Sequence, residues 1–460
     1  MKTTFILLSF LVPTALFAQQ WQPKIANLRP YDQTGINVFE DPKDATEFDG
    51  LKVKFGAGFT QQFQNLKHTN KDALNNTIGS FANGVSTPGN RLKVITPGFQ
   101  TAQANLFMDV QLADGIRLNV TSYLSSKHHN ENWIKGGYIQ FDKLPFKGEF
   151  WDELMKVTTI KIGHFEVNYG DAHFRRSDNG QALYNPFMES YILDAFATEI
   201  GGEVYVRKNG LFGMIGLTNG MIKGNVDSLY AASNPDGKLH KSPSLLLKAG
   251  IDKQLTADMR VRLSASYYGN QSSGSNTLYG GDRGGSNYQY VMELNSANPS
   301  SATGAGTGLA FSGRFNPGFT KKINSVMLNG FVKARGLELF GTYETSSGRN
   351  ARETATRNAS QYAADVVYRF GPAENLFIGA RYNVLTATLA DNATGTGGGA
   401  IKYNGNVKVD RVAAAAGWFL TRNVLLKGEY VIQNYKDFPV ADSRAGGQFK
   451  GYVIEAVVGF

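Results

Sequence analysis

From Leu51 to Phe460 the chain alternates apolar and polar residues in segment after segment. In LKVKFGAGF, Leu51, Val53, Phe55, Ala57 and Phe59 share one face, with Lys52, Lys54, Gly56 and Gly58 on the other. Successive side chains of a strand point to opposite faces, so a period of two reads as a strand with one apolar and one polar side. The closing segment GYVIEAVVGF repeats the pattern through Tyr452, Ile454, Ala456, Val458 and Phe460.

The connections alternate too. One set is tight, as at Asp114-Gly115, Asn209-Gly210, Arg335-Gly336 and Thr421-Arg422-Asn423, and Asn-Gly is a strong hairpin signal. The other set is long, polar and rich in Gly, Ser and Asn: 65–98, 168–198, 220–243, 271–322, 347–358, 391–405 and 437–447. Short turns at one rim and long loops at the other are the layout of a transmembrane antiparallel β-barrel of the outer-membrane type. The segments 50–64, 100–112, 115–126, 134–142, 157–167, 199–208, 211–219, 244–254, 259–270, 323–334, 337–346, 360–370, 375–389, 406–420, 423–436 and 448–460 give about sixteen strands. An even number puts both chain ends at the turn-bearing, periplasmic rim. Connection 143–156 is the misfit: it should be a short turn, and is expected to be a longer one holding a single helical turn.

A soluble β-sandwich would alternate as well, but it would scatter charge over its outward face. Here the apolar face carries aromatics near strand ends, at Phe59, Tyr343, Phe370, Trp418 and Phe460, as an interfacial girdle would. The barrel, spanning 50–460, is therefore preferred. Residues 1–18, with Lys2 and the apolar run Phe5 to Phe17, read as a secretory leader. Residues 19–49 read as a periplasmic segment before the first strand, with no role assigned.

Three stretches, LRPYDQTGINVFEDPK (28–43), HFRRSDNGQALYNPF (173–187) and LDAFATEIGGEVYV (193–206), resemble the porin-like proteins related to the phosphate-selective porins O and P. Terminal Phe460, with apolar residues at every second position before it, resembles the C-terminal signal read by the barrel-assembly machinery. The resemblance implies outer-membrane lipid around the barrel and passive diffusion of small hydrophilic solutes through it. It also implies a third extracellular loop folded inward, and a homotrimer.

Strand parity assigns Lys52, Lys54, Arg117, Lys161, Arg207, Lys248, Arg260, Arg262, Lys333, Arg369, Arg381, Arg411 and Lys427 to the inner wall. The anions there, Asp109, Glu203, Asp252, Glu338, Glu344, Asp365, Glu429 and Glu455, are fewer. A water-filled lumen lined this way favours small anionic solutes, phosphate among them, because rings of Arg or Lys attract anions. Taken singly, each inward cation is better read as pairing with a wall carboxylate across strands. In the 168–198 connection, the third extracellular loop by the strand count, Asp171, Arg175, Arg176 and Asp178 are the charges expected at a constriction. Leu183, Tyr184, Phe187, Tyr191, Ile192, Leu193 and Phe196 call for a surface to pack against. Two roles suit the adjacent arginines: selecting anions through their fork of donors, or pinning the loop to wall acids.

Other chemistry finds little support. The chain has no cysteine, so neither disulfides nor thiolate metal sites are available. His128-His129 lack the i, i+4 spacing of a zinc helix, and neither G-x-S-x-G nor H-E-x-x-H occurs. GGDRGG (280–285) has no strand and helix around it, and reads as loop. No catalytic residue, metal or cofactor is assigned. The basic balance, 47 Lys+Arg against 38 Asp+Glu, comes without a basic block interleaved with aromatics, which argues against nucleic acid. An outer-membrane hydrolase and a surface adhesion barrel are the rival readings.

Overall fold

The computed structural model describes residues 23–44, 48–71, 92–100, 102–125, 132–178, 180–221, 240–282, 284–293, 312–391 and 401–460. The leader reading, and His128 and His129, fall outside them. The strands are β1 (Lys52–Thr69), β2 (Gly98–Phe99), β3 (Gln103–Ala113), β4 (Ile116–Ser125), β5 (Trp133–Phe141), β6 (Thr158–Glu166), β7 (Thr198–Lys208) and β8 (Leu211–Thr218). They continue as β9 (Ser244–Thr256), β10 (Met259–Asn270), β11 (Lys322–Ala334), β12 (Leu337–Arg349), β13 (Arg357–Phe370), β14 (Leu376–Thr388), β15 (Asn406–Thr421), β16 (Val424–Lys436) and β17 (Gln448–Gly459). Each long strand pairs antiparallel with its sequence neighbour, and β1 pairs with β17 from Gly58↔Gly459 to Thr69↔Gln448, which closes the sheet. Closure leaves no long edge whose N–H and C=O groups would face lipid unpaired. The two-residue β2 is an addition, pairing with β1 at Phe63 and Gln64.

The long strands correspond one for one to the segments read from alternation. Asn209 and Gly210 both have positive φ, 54° and 77°, as a two-residue hairpin between β7 and β8 requires. The 143–156 connection differs from expectation. It carries α1 (Glu149–Val157), a helix of 9 residues rather than a single turn.

Alternation survives as burial. On β13, Gln361, Ala363, Asp365, Val367 and Arg369 are buried, while Tyr362, Val366, Tyr368 and Phe370 are exposed. Outward positions elsewhere are of the same kind: Leu263, Leu339, Ile378, Val412, Trp418, Leu426 and Ile454. This exposed apolar belt is the surface a barrel presents to hydrocarbon.

The interior differs from the water-filled lumen expected. Over β11–β17 the buried face carries Ile323, Met327, Val367, Phe377, Leu385, Val409, Phe419, Val431, Phe449 and Val453 beside its charges. These form one apolar cluster with Leu183, Phe187, Met188, Ile192 and Leu193 of the 168–198 connection, and with Tyr288, Val291 and Phe315 of 271–321. Burying each such side chain stabilises the assembly by about 1.5–3 kcal/mol. Residues 23–44 also lie against the buried face. The Tyr31 ring stacks on Phe107 with centroids 4.3 Å apart, its hydroxyl donates to Asp109 at 2.6 Å, and Asn37 donates to Glu338 at 2.6 Å.

Phe187 is fully buried, against the Arg381 guanidinium and the backbone at Gly379. Phe187→Ala should cost about 3–5 kcal/mol of packing. The check is hydrogen exchange in bilayers, where amides of 182–193 should lose protection while those of β13–β15 keep theirs.

Candidate functional site

The 168–198 connection leaves β6 at Glu166 and returns at Thr198, and its charges are held in three clusters. In the first, Asp171 takes two hydrogen bonds from Arg262, each 2.9 Å, one from Ser264 at 2.7 Å, and an ion pair from Lys248 at 2.7 Å. Arg262 turns its other edge to Glu40 of the N-terminal segment, at 2.7 and 2.8 Å. Burial alone would raise the Asp171 pKa, but Lys248 and Arg262 outweigh it and hold the carboxyl far below the usual carboxylate range.

In the second cluster, Arg176 grips Asp194 with both Nη atoms, at 2.6 and 2.9 Å, under the Phe196 ring. Asp178 pairs with Lys135 of β5 at 2.6 Å. In the third, Glu189 is fully buried and accepts from Arg314, Ser286 and the Asn287 amide. Burial opposes its ionised form, but Arg314 and Arg411 dominate and hold its pKa down at about 2. The connection is tied to the wall as well: Lys427 donates to the carbonyls of Ala182, Asn185 and Phe187, Arg381 to that of Glu189, and Arg411 to that of Ser190.

Arg175 lies over the Phe340 ring, its Cζ 4.8 Å from the centroid and its nearest carboxylate, Glu338, at 3.8 Å. With Arg176 it borders only a gap of about 20 Å³ against β11–β14. A space larger than this gap lies on the other side of the connection. A cavity of about 230 Å³ opens between the connection, the N-terminal segment and the wall of β3–β7. Leu28, Arg29, Tyr31, Phe39, Glu40 and Asp41 line it from the N-terminal segment, and His173, Phe174, Gln181 and Tyr184 from the connection. The wall contributes Asn119, Thr121, Lys135, Tyr138, Lys161, Tyr205 and Arg207. None of Asp171, Arg175, Arg176 and Asp178 borders it.

Most inward cations are satisfied by wall acids, the blander of the two roles open to them. Arg117 pairs with Asp109 and Asp41, Arg260 with Asp252, Lys333 with Glu374, Arg369 with Glu338, Arg381 with Asp365 and Lys427 with Glu455. Lys52 pairs with Asp49, and Lys54 faces the Tyr31 ring. Among the described residues Lys54, Arg411, Lys161 and Arg207 have no carboxylate oxygen within 4.0 Å. Arg411 is held by Gln433 and the carbonyls of Ser190 and Gly313, whereas Lys161 and Arg207 border the cavity. The Lys161 ammonium sits 4.2 Å from the Tyr138 ring centroid and 4.6 Å from that of Phe165. Of the acids bordering the cavity, Glu40 is paired with Arg262 and Asp41 with Arg117, while Glu166 takes one hydrogen bond from the neutral Gln181 and lies 3.9 Å from Arg176. His173 is pushed well below the usual histidine range, by burial first and then by Lys248, so it is neutral at pH 7. Four cations border the cavity, Arg29, Lys135, Lys161 and Arg207, against these three acids, so the formal balance of its lining is positive by one.

Strand parity places Lys161 and Arg207 on the inner wall but does not separate them from the paired cations. It missed the cavity's N-terminal wall altogether. Arg29 stacks on Tyr184 at 3.9 Å and donates to the Phe174 carbonyl at 3.0 Å, while Tyr184 donates to the Pro30 carbonyl.

Closed antiparallel sheet, outward apolar belt and short turns at one rim define a transmembrane β-barrel of the outer-membrane porin type. No family model matches the sequence, and no curated protein does. Among solved structures, the anion-selective porin of Comamonas acidovorans is similar in fold, with a TM-score of 0.50, 8% identity, and coverage of 89% of this chain and 100% of that one. OprB of Pseudomonas putida matches with TM-score 0.49, 10% identity and coverage of 89% and 94%. The outer-membrane channel DcaP of Acinetobacter baumannii matches with TM-score 0.45, 11% identity and coverage of 89% and 98%. At such identities the likeness is one of fold.

Removing one partner from a buried ion cluster leaves its counter-charges uncompensated, at a cost of about 3–5 kcal/mol. Asp171→Asn should therefore lower the urea midpoint of the folded barrel in lipid vesicles, whereas Asp114→Asn, at an exposed turn pair with Lys143, should leave it unchanged.

Proposed function

We propose that the protein is an outer-membrane channel for passive diffusion of small anionic solutes, and that they pass through the cavity between the 168–198 connection and the wall of β3–β7. The observation that carries this reading is the pair Lys161 and Arg207, which border the cavity with no carboxylate oxygen within 4.0 Å among the described residues. Uncompensated cations in a narrow aqueous passage lower the energy of an anion there and raise that of a cation. The connection itself is the inward-folded third loop. Arg175 and Arg176 take the pinning role, and selection passes to the cations facing the cavity. The resemblance of 28–43, 173–187 and 193–206 to phosphate-selective porins supports phosphate among the solutes. The shared fold with a protein described as an anion-selective porin agrees with that direction. Homotrimeric assembly, and recognition of Phe460 by the barrel-assembly machinery, belong to the same reading. Phe460 is accessible from outside and exchanges two backbone hydrogen bonds with Ala57, both 3.1 Å, beside the β1–β17 closure.

The experiment is reversal potential in planar bilayers across a potassium chloride gradient. The unaltered protein should prefer chloride. A unit charge acts on an ion 4 Å away with about 1 kcal/mol in water, a factor of roughly five in permeability. Lys161→Gln with Arg207→Gln should therefore reduce the anion preference several-fold, and Arg175→Gln should leave it unchanged. A protein that inserts but never conducts, or a preference unmoved by the double variant, would overturn the proposal.

A further inference from the structure

The helix α1 between β5 and β6 has more apolar surface than the protein covers. At about 100° per residue its side chains fall into three sectors. Trp151 and Met155 form the first. Met155 is buried, its carbonyl accepts from Lys43 at 2.8 Å, and both residues border the space beneath the N-terminal segment. Glu149, Asp152, Glu153 and Lys156 form a second, exposed and charged. Between these lie Phe150 and Leu154, exposed at 69% and 38%, with Phe146 of the preceding turn exposed at 54%. Phe146 and Phe150 each contact the Trp151 ring, with centroids 5.2 and 5.1 Å apart, so the aromatics form one patch.

A patch of this kind facing water would be an aggregation liability. Its position supplies the occupant. The helix adjoins β6 and β7, whose outward residues Ile162, Val204 and Val206 are part of the exposed apolar belt. It lies at the rim of short turns, where the belt meets the headgroups. An amphipathic helix with aromatics on one face, charges on the other and lysines at its flanks lies in the plane of such an interface. Lys147 and Lys156 are the flanking cations, both exposed, with stems long enough to leave their ammonium groups in water.

We propose that α1 is an interfacial anchor, with Phe146, Phe150 and Leu154 inserted into the phospholipid leaflet at the periplasmic rim. The anchor fixes the depth of the barrel on the β5–β7 side and holds the helix that supports residues 24–44 from below. It depends on the lipid belt alone, and stands whether or not the channel selects anions.

The absence of cysteine makes the test direct. Phe150→Cys, Leu154→Cys, Glu153→Cys and Leu263→Cys are each spin-labelled in the full-length protein. They are then reconstituted in phosphatidylethanolamine–phosphatidylglycerol bilayers, with folding checked by heat-modifiable mobility. Collision with oxygen is compared with collision with a water-soluble nickel chelate. Labels at 150 and 154 should favour oxygen, as at the belt position 263, while the label at 153 favours nickel. Nickel access at 150 and 154 equal to that at 153 would overturn the proposal. So would exclusion of both agents with dipolar broadening between labels, which would mean that a second copy of the chain covers the patch.

Discussion

The interior of this barrel is organised by the ion cluster around Asp171. One carboxylate from the 168–198 connection meets Arg262 of β10 and Lys248 of β9, and Arg262 carries on to Glu40 of the N-terminal segment. Wall, connection and N-terminal segment are thus joined through a single guanidinium. The Born cost of burying charge is large, and such clusters persist only where every lone pair and proton finds a partner. Here they do, with Ser264 and the Asn329 side chain completing the shell of Asp171. The cluster fixes where the connection meets β9 and β10, between the apolar cluster toward β11–β17 and the cavity toward β3–β7.

That division explains the chemistry of the two halves. Toward β11–β17, wall and connection interdigitate apolar side chains, with Lys427, Arg381 and Arg411 each closing on backbone carbonyls of the connection. Those cations are spent on structure. Toward β3–β7, Lys161 and Arg207 have no acid within 4.0 Å among the described residues and share the cavity with Tyr138, Tyr205 and the neutral His173. Charge that does no structural work is what a passing solute can use.

The strand frame was legible because lipid and barrel interior impose opposite demands on alternate residues. Tyr452, Ile454 and Ala456 face out, and Phe449, Val453 and Glu455 face in, as parity requires. The packed interior was harder to read, although a signal existed. The run Val412 to Leu420 is apolar on both faces, as in a strand buried on both sides, and its inward Ala413, Ala415 and Phe419 pack into the interior cluster. The N-terminal segment had no period to follow. Tyr31, Phe39, Glu40 and Asp41 sit in irregular backbone whose contacts lie up to hundreds of residues away, and no local pattern encodes them. For Arg175 and Arg176, sequence supplied the residue type without the partner. An arginine beside Asp194 and one over Phe340 cannot be told from gate residues until the connection is folded.

The central claim is that the open path follows the β3–β7 side. Cysteine accessibility tests it most directly, because the chain has no thiol of its own. Thr121 of β4 borders the cavity, while Ser177 is buried within the connection against Glu189 and Ser190. With Thr121→Cys in a conducting bilayer, an anionic methanethiosulfonate reagent should react and reduce the current, and faster than its cationic counterpart. With Ser177→Cys, it should do neither. Modification at 177 with no reaction at 121 would place the path on the other side and contradict the account.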